Sequence, residues 1–377
     1  MDYTKYRENV LSKGKKRILA LDGGGIRGLF TVQLLKRLES IIRERTNDPN
    51  ALLRDYFHLV GGTSTGAIIA GAIATGKTAD ELDTIYRDLG QSIFKSNPLR
   101  FGLFRSKFDS APINAALDAH FDDMLIRDTT ELGIGLSVVG KRMDTGSSWV
   151  VDNNPDGKYF SPEKGNNGNY SLKQVIRAST AAPVYFDPEY IPISDTQMGK
   201  FVDGGVSPHN NPALQMFMLA TMKGYKYNWD KGEDNLFILS LGTGNWANKI
   251  PVHPDKFSLF HSAKNAILAV LSVMDDNQEL NQCMMQWFGK ATGPVRDIDR
   301  VIGNLESELL CDVPLFSYMR YDAMIDRSWL ARELGITHFS DQQIERMRAM
   351  DALDTMDLLS EMGQKYAEKL IKPEHIL

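Results

Sequence analysis

Residues 17–21 form an almost unbroken apolar run into a glycine cluster, the pattern of a buried strand that ends in a tight turn. Beyond it, Leu29, Val32, Leu35, Leu38 and Ile42 recur at helical spacing with Arg and Glu between them, which predicts an amphipathic helix. The unit then repeats: 57–60 is a short apolar run, 61–66 a glycine-containing turn and 67–74 a helix of small residues. Two strand-turn-helix units in succession predict a parallel sheet. Thr78 followed by Glu81 is a capping box, opening a helix that carries Leu82, Ile85, Tyr86 and Leu89 on one face. Further strands are predicted at 134–139, 149–151, 184–186, 200–202 and 236–241. After Phe257 the pattern changes to long amphipathic helices over about 259–288 and 341–371, rich in Met, Leu and Ala.

With 377 residues, the chain is long enough for one α/β body with a helical annex. The expected division is an N-terminal extension at 1–16, a core at 17–245 and a mainly helical C-terminal flank at 246–377. The formal net charge of -5 argues against a nucleic-acid polymer as partner. Residues 1–17 are polar and basic, without an apolar export segment. The longest apolar stretches, near 68–74 and 266–274, fall short of the roughly 18–20 residues that span a bilayer. A cytoplasmic protein with at most peripheral membrane contact is expected. Cys283 and Cys311 make neither a disulfide framework nor a zinc-ligand spacing, so neither metal nor cofactor is expected.

Candidate chemistry sits in the turns. A serine hydroxyl becomes an effective nucleophile when a strained turn aims it at a base and at backbone N–H donors. Gly62-Thr63-Ser64-Thr65-Gly66 is such a turn, with Gly62 and Gly66 removing side chains where strand meets helix. Alone, the pattern reads more readily as a glycine-softened strand-to-helix corner. Upstream, Gly23, Gly24 and Gly25 can point several amides at one place, as an oxyanion requires, and Arg27 brings a positive charge beside them. Arg27 reads evenly as a surface ion-pair partner or as a residue that holds the loop. Asp203, followed by Gly204 and Gly205 after an apolar strand, places a carboxylate at a sheet edge, although Asp-Gly is also a common turn.

Together these motifs resemble the patatin-like phospholipases. The Asp-Gly-Gly-Gly-x-Arg-Gly pattern falls on Asp22 to Gly28, Gly-x-Ser-x-Gly on Gly62 to Gly66, and Asp-Gly-Gly on Asp203 to Gly205; Ala178-Ser179-Thr180-Ala181-Ala182-Pro183 is a fourth family-like segment. The likeness covers residues 17–241. It implies a three-layer α/β fold with a central, mainly parallel sheet flanked by helices. It also implies a Ser-Asp dyad in which Ser64 attacks an ester carbonyl and Asp203 takes its proton, with the Gly23 to Gly25 amides holding the oxyanion and no metal or other cofactor. Membrane phospholipid is the implied substrate. Some bacterial members respond to cyclic nucleotides, which adds a cyclic nucleotide activator to the partners considered. The chain departs from the pattern in one place: four residues, Val206 to His209, separate Asp-Gly-Gly from Asn210-Asn211-Pro212, where many members have three.

Rival readings start from the same residues. His209 follows Ser64 and Asp203 in the order of an α/β-hydrolase triad, although Ser64 comes after only one earlier strand. A lipid-binding module without turnover would leave the paired Ser64 and Asp203 unexplained. Gly23-x-Gly25-x-x-Gly28 also satisfies the dinucleotide fingerprint, but no acidic residue stands at the end of a second strand to take a ribose. The phosphate-loop match from Gly71 to Thr78 begins inside a helix, where such a loop cannot form. Residues 94–108 interleave Phe94, Phe101, Phe104 and Phe108 with Lys95, Arg100, Arg105 and Lys107, which suits an anionic membrane surface or a loop completing the core. The Met-rich stretch 274–288 reads as core or as a lid.

Overall fold

In the computed structural model, the described residues are 1–93, 108–163, 165–246 and 259–377. The segment proposed to meet a membrane lies outside them except for Phe108, which is buried.

Among the described residues, nine strands form one sheet: β1 (Lys16–Leu21), β2 (Leu59–Thr63), β3 (Gly135–Arg142), β4 (Ser147–Asp152), β5 (Glu189–Ser194), β6 (Gln197–Asp203), β7 (Leu236–Leu241), β8 (Lys290–Ala291) and β9 (Ser317–Tyr321). Its order is β5-β6-β3-β2-β1-β7-β9-β8, with β4 also paired to β3. The run β3-β2-β1-β7-β9-β8 is parallel, whereas β4, β5 and β6 pair antiparallel. Buried parallel strands are covered on both faces, and β1 alternates accordingly. Leu19 and Leu21 enter one apolar core, Ile18 and Ala20 the other.

The helices that matter here are α1 (Gly28–Thr46), α2 (Thr65–Ala74), α3 (Ala79–Ile93), α4 (Ser110–Phe121), α5 (Leu172–Ser179), α6 (Ala213–Thr221), α7 (Leu259–Phe288), α8 (Asp341–Met347) and α9 (Met356–Leu370). Residues of α1 to α5 and α9 fill the Leu19/Leu21 side, and α6 with Met285 of α7 fills the other. The arrangement is three layers. Thr78 and Glu81 cap α3 reciprocally as predicted, and Leu82, Ile85, Tyr86 and Leu89 are buried. Among the described residues, no helix is long and apolar enough to cross a membrane.

Three sequence expectations change. Residues 184–186 are a turn instead of a strand, because Val184 takes a left-handed φ of 74° and the Tyr185 and Phe186 amides both donate to Ala182. The single helix expected over 341–371 is two, α8 and α9, joined by a turn at 348–355 that is held where the Met350 carbonyl accepts the Ile26 N–H at 2.8 Å. The flank beyond 245 also adds β8 and β9 to the sheet. Residues before β1 are anchored as well: Tyr6 and Val10 are fully buried, and the Tyr6 and Tyr227 hydroxyls are 3.1 Å apart.

Candidate active site

Sheet register brings Ser64 and Asp203 together. The parallel strand β2 pairs along one edge of β3 as far as Thr63 opposite Val139, and β6 arrives antiparallel with Asp203 opposite Gly140. The other edge of β3 carries β4 over 137–142, so β2 and β6 share one edge and end head to head on adjacent rungs. The residue after β2 therefore meets the last residue of β6. Ser64 Oγ donates to Asp203 Oδ2 at 2.6 Å.

The turn that presents Ser64 is strained. Its φ of 55° and ψ of -124° lie where a non-glycine residue costs about 1–3 kcal/mol and must be held by its surroundings. The flanking glycines explain how. A Cβ on Gly62 would collide with the Gly66 carbonyl, and one on Gly66 would collide with Leu21 O at the end of β1. The Ser64 N–H is held by Ser179 Oγ at 2.8 Å, and that hydroxyl donates to Val139 O at 2.5 Å. Asp203 is anchored in parallel, because its N–H donates to Ala181 O at 2.9 Å. Thus α5 and the residues after it support both partners.

Asp203 is 6% exposed, and Oδ1 accepts the Gly205 N–H at 2.7 Å. Burial pushes its carboxyl up to about 6, against the Ser64 and Gly205 hydrogen bonds, which favour the anion. A group titrating there is ionised at neutral pH yet basic enough to take a proton. A Cβ on Gly204 would strike the Val139 carbonyl, so this turn too needs its glycine.

Leu21 lies opposite Gly62 in the β1–β2 register, so the glycine loop leaves β1 beside the serine turn. A Cβ on Gly23 would stand 3.2 Å from Ser64 Cβ. The Gly23 N–H is committed to Asn210 O at 3.2 Å, whereas those of Gly24 and Gly25 have no partner among the described residues. Gly24 abuts Thr243, Gly25 has φ 60°, and its carbonyl accepts from Thr65 Oγ1 at 3.0 Å and from the Tyr86 hydroxyl. Arg27 is 8% exposed and spans the loop, with Nε to Gly24 O at 3.2 Å and Nη1 to Gly244 O at 2.9 Å. Its guanidinium also lies over the Trp246 ring. Of the two readings of Arg27, the geometry is that of loop support.

His209 stands apart from the Ser-Asp contact. Its backbone O accepts from Thr63 Oγ1 at 2.6 Å, while ring Nδ1 is buried without a partner and burial lowers the ring's pKa. A Ser-His-Asp relay needs the imidazole between the other two groups, and here serine and carboxylate touch directly.

The sequence motifs gave no site role to Ser179, Asn210, Tyr86, Met350 or Arg320, although Ser179 and Asn210 lay inside or beside family-like segments and Tyr86 on a predicted helix face. Arg320, on β9, bonds both oxygens of Asp22 at 2.7 and 3.3 Å, Ser240 Oγ at 2.7 Å and Asp322 Oδ2 at 2.9 Å. A cavity of about 60 Å³ adjoins the site and is lined by Ser64, Asp203 and mainly apolar residues including Ile68, Leu89, Ile113, Phe186 and Met350.

A serine presented on a strained elbow to a buried carboxylate, at the C-terminal edge of a mainly parallel α/β sheet, is the arrangement of a serine hydrolase. The chain belongs to the patatin-like phospholipase family, whose model matches residues 19–217. It is 31% identical over 242 residues to a cGAMP-activated phospholipase of Escherichia coli (strain TW11681), covering 62% of this chain and 64% of that protein. A cGAMP-activated phospholipase of Vibrio cholerae serotype O1 is 27% identical over 327 residues, 80% of this chain and 86% of that protein. Patatin group J-1 of Solanum tuberosum is 29% identical over 245 residues, 60% of each.

Proposed function

We propose that this chain is a phospholipase A-type lipid acyl hydrolase that cleaves carboxylic esters of membrane phospholipids through Ser64 and Asp203. The 2.6 Å contact between Ser64 Oγ and Asp203 Oδ2 carries the reading. Ser64 Oγ attacks the ester carbonyl carbon as its proton passes to Asp203. The Gly24 and Gly25 amides, which lack partners among the described residues, receive the oxyanion, with Gly23 and Arg27 shaping the loop. Collapse expels the lysophospholipid alkoxide, which takes the proton from Asp203. Water, losing its proton to the same carboxylate, then attacks the acyl-enzyme and frees the fatty acid and Ser64.

The two bacterial relatives, named as cGAMP-activated, support a cyclic dinucleotide as the activator. The enzyme would act from the cytoplasm with transient contact to the membrane. We test this with a panel of phospholipids and simple acyl esters, with and without cGAMP, for wild type and Ser64→Ala. A fluorophosphonate probe should label wild type and not the variant, and lysophospholipid should appear only with wild type. Absence of both labelling and hydrolysis in folded wild type with cGAMP would refute the proposal.

The support from α5 gives a second expectation. Ser179→Ala removes the acceptor for the Ser64 N–H. Leaving such a buried donor unpaired costs about 1–3 kcal/mol, so labelling of Ser64 should slow by roughly 5- to 150-fold while circular dichroism stays unchanged. An unchanged labelling rate would remove Ser179 from the scheme.

A further inference from the structure

We propose that the outer face of α7 is a seam that pairs with the same helix of a second copy of this chain. The helix has two faces. Its inner face buries Asn281, Gln282, Met285 and Gln286 and reaches the loop after Asp203: Gln278 Oε1 accepts from Asn210 Nδ2 at 3.3 Å, and Asn281 Nδ2 donates to Pro208 O at 2.5 Å. Its outer face leaves Val273, Leu280 and Trp287 exposed at 57%, 56% and 38%, seven residues apart.

Half-exposed Asn277 and Met284 stand four residues after Val273 and Leu280, so the five positions alternate by four and three as the a and d sites of a heptad repeat. In sequence the same register runs back through Val270, Ala266, Ala263 and Leu259. An apolar seam with this period is the pattern of a supercoiled helix pair, and a polar Asn at one a site fixes register by meeting its own equivalent in a parallel dimer. A second copy supplies that equivalent. The seam continues at its C-terminal end, where the Leu310 N–H donates to Trp287 O at 2.9 Å and Leu310 and Val313 are exposed. An anionic membrane is the poorer occupant, because residues 272–288 contain Asp275, Asp276 and Glu279 and no Lys or Arg.

Pairing would brace α7 from outside while its inner face holds the Pro208–Asn210 loop, so assembly would stiffen the chain segment that follows Asp203. That consequence rests on the proposed dyad; the seam itself does not, and sedimentation tests it without reference to turnover. In reducing buffer the full-length chain should sediment as a dimer at about 10 µM. Val273→Glu/Leu280→Glu should sediment as a monomer with unchanged circular dichroism. Leu280→Cys, mildly oxidised, should form a disulfide between copies, and this variant reads the seam even if the double variant does not fold. A wild type that stays monomeric at about 100 µM would overturn the proposal. So would a folded double variant that remains dimeric. A monomeric wild type whose flotation with anionic vesicles is lost in the double variant would assign the face to membrane instead.

Discussion

Asp203→Asn should lower kcat for ester hydrolysis on the order of 10³- to 10⁴-fold, with a much smaller change in KM. The amide keeps the shape of the carboxylate and can still accept from the Gly205 N–H, now made at 2.7 Å, but it cannot take the Ser64 proton. Two pH effects accompany the loss. In wild type the base must be ionised, and burial places its titration at about 6, so kcat/KM should rise with pH, reach half its plateau near 6 and stay level above it. The variant should lack that limb.

Stability moves the other way. A carboxyl raised in the folded state binds its proton more tightly folded than unfolded, so its contribution is greatest below the unfolded value of 3.8 and is lost as pH rises through about 6. Asp203→Asn removes the buried anion and should therefore raise Tm at pH 8 while changing it little well below the unfolded value of 3.8, where both states are protonated. The histidine alternative predicts a different kinetic pattern. If His209→Ala abolished turnover while Asp203→Ala spared it, the dyad would be wrong; a His209→Ala enzyme within a few fold of wild type is expected.

Local chemistry was legible wherever it was also local in sequence. The apolar run ending in Gly23, the serine turn and the Thr78–Glu81 cap each carry their geometry within a few residues, and β1, β2, β3 and β7 follow from composition and period. What could not be read is what register creates. Nothing in the spacing of 139 residues between Ser64 and Asp203 says that β2 and β6 share an edge of β3; the motifs suggested a pair, and only the sheet brings the two ends to adjacent rungs. The break between α8 and α9 was hidden for the same reason. Residues 348–355 contain no Pro or Gly, so helical periodicity runs through them, and the stop comes from a tertiary hydrogen bond to Ile26. Val184 misled in the opposite sense, an apolar triplet reading as strand although its backbone turns left-handed.

Arg320→Met should destabilise the protein by about 3–5 kcal/mol at pH 8, because it removes one partner of a buried ionic cluster and leaves Asp22 uncompensated. Arg320 and Asp22 side chains are 8% and 1% exposed, and the cluster extends through Ser240 and Asp322, whose Oδ1 accepts the Gly244 N–H at 2.9 Å. Burial already pushes the Asp22 carboxyl up to about 6, with Arg320 pulling it back, so loss of the guanidinium must raise it further. The sign follows. Protonation relieves the isolated charge, so the destabilisation should shrink as pH falls from 8 to 5.5, read by chemical denaturation at both values. Asp22→Asn/Arg320→Met should lose less than the sum of the single changes, since it removes both charges. The catalytic consequence separates positioning from bulk stability. Asp22 is the first residue of the glycine loop, and its N–H already hangs from Leu241 O at 3.0 Å, so a shifted carboxylate displaces the Gly24 and Gly25 amides before it disturbs the apolar cavity. At a temperature where the variant is fully folded, kcat should fall more than KM rises, and Arg320→Lys should recover part of the stability but less of kcat, because a point charge cannot span Asp22, Ser240 and Asp322 together. A loss equal at both pH values, or below about 1 kcal/mol, would show that the cluster does not hold the loop.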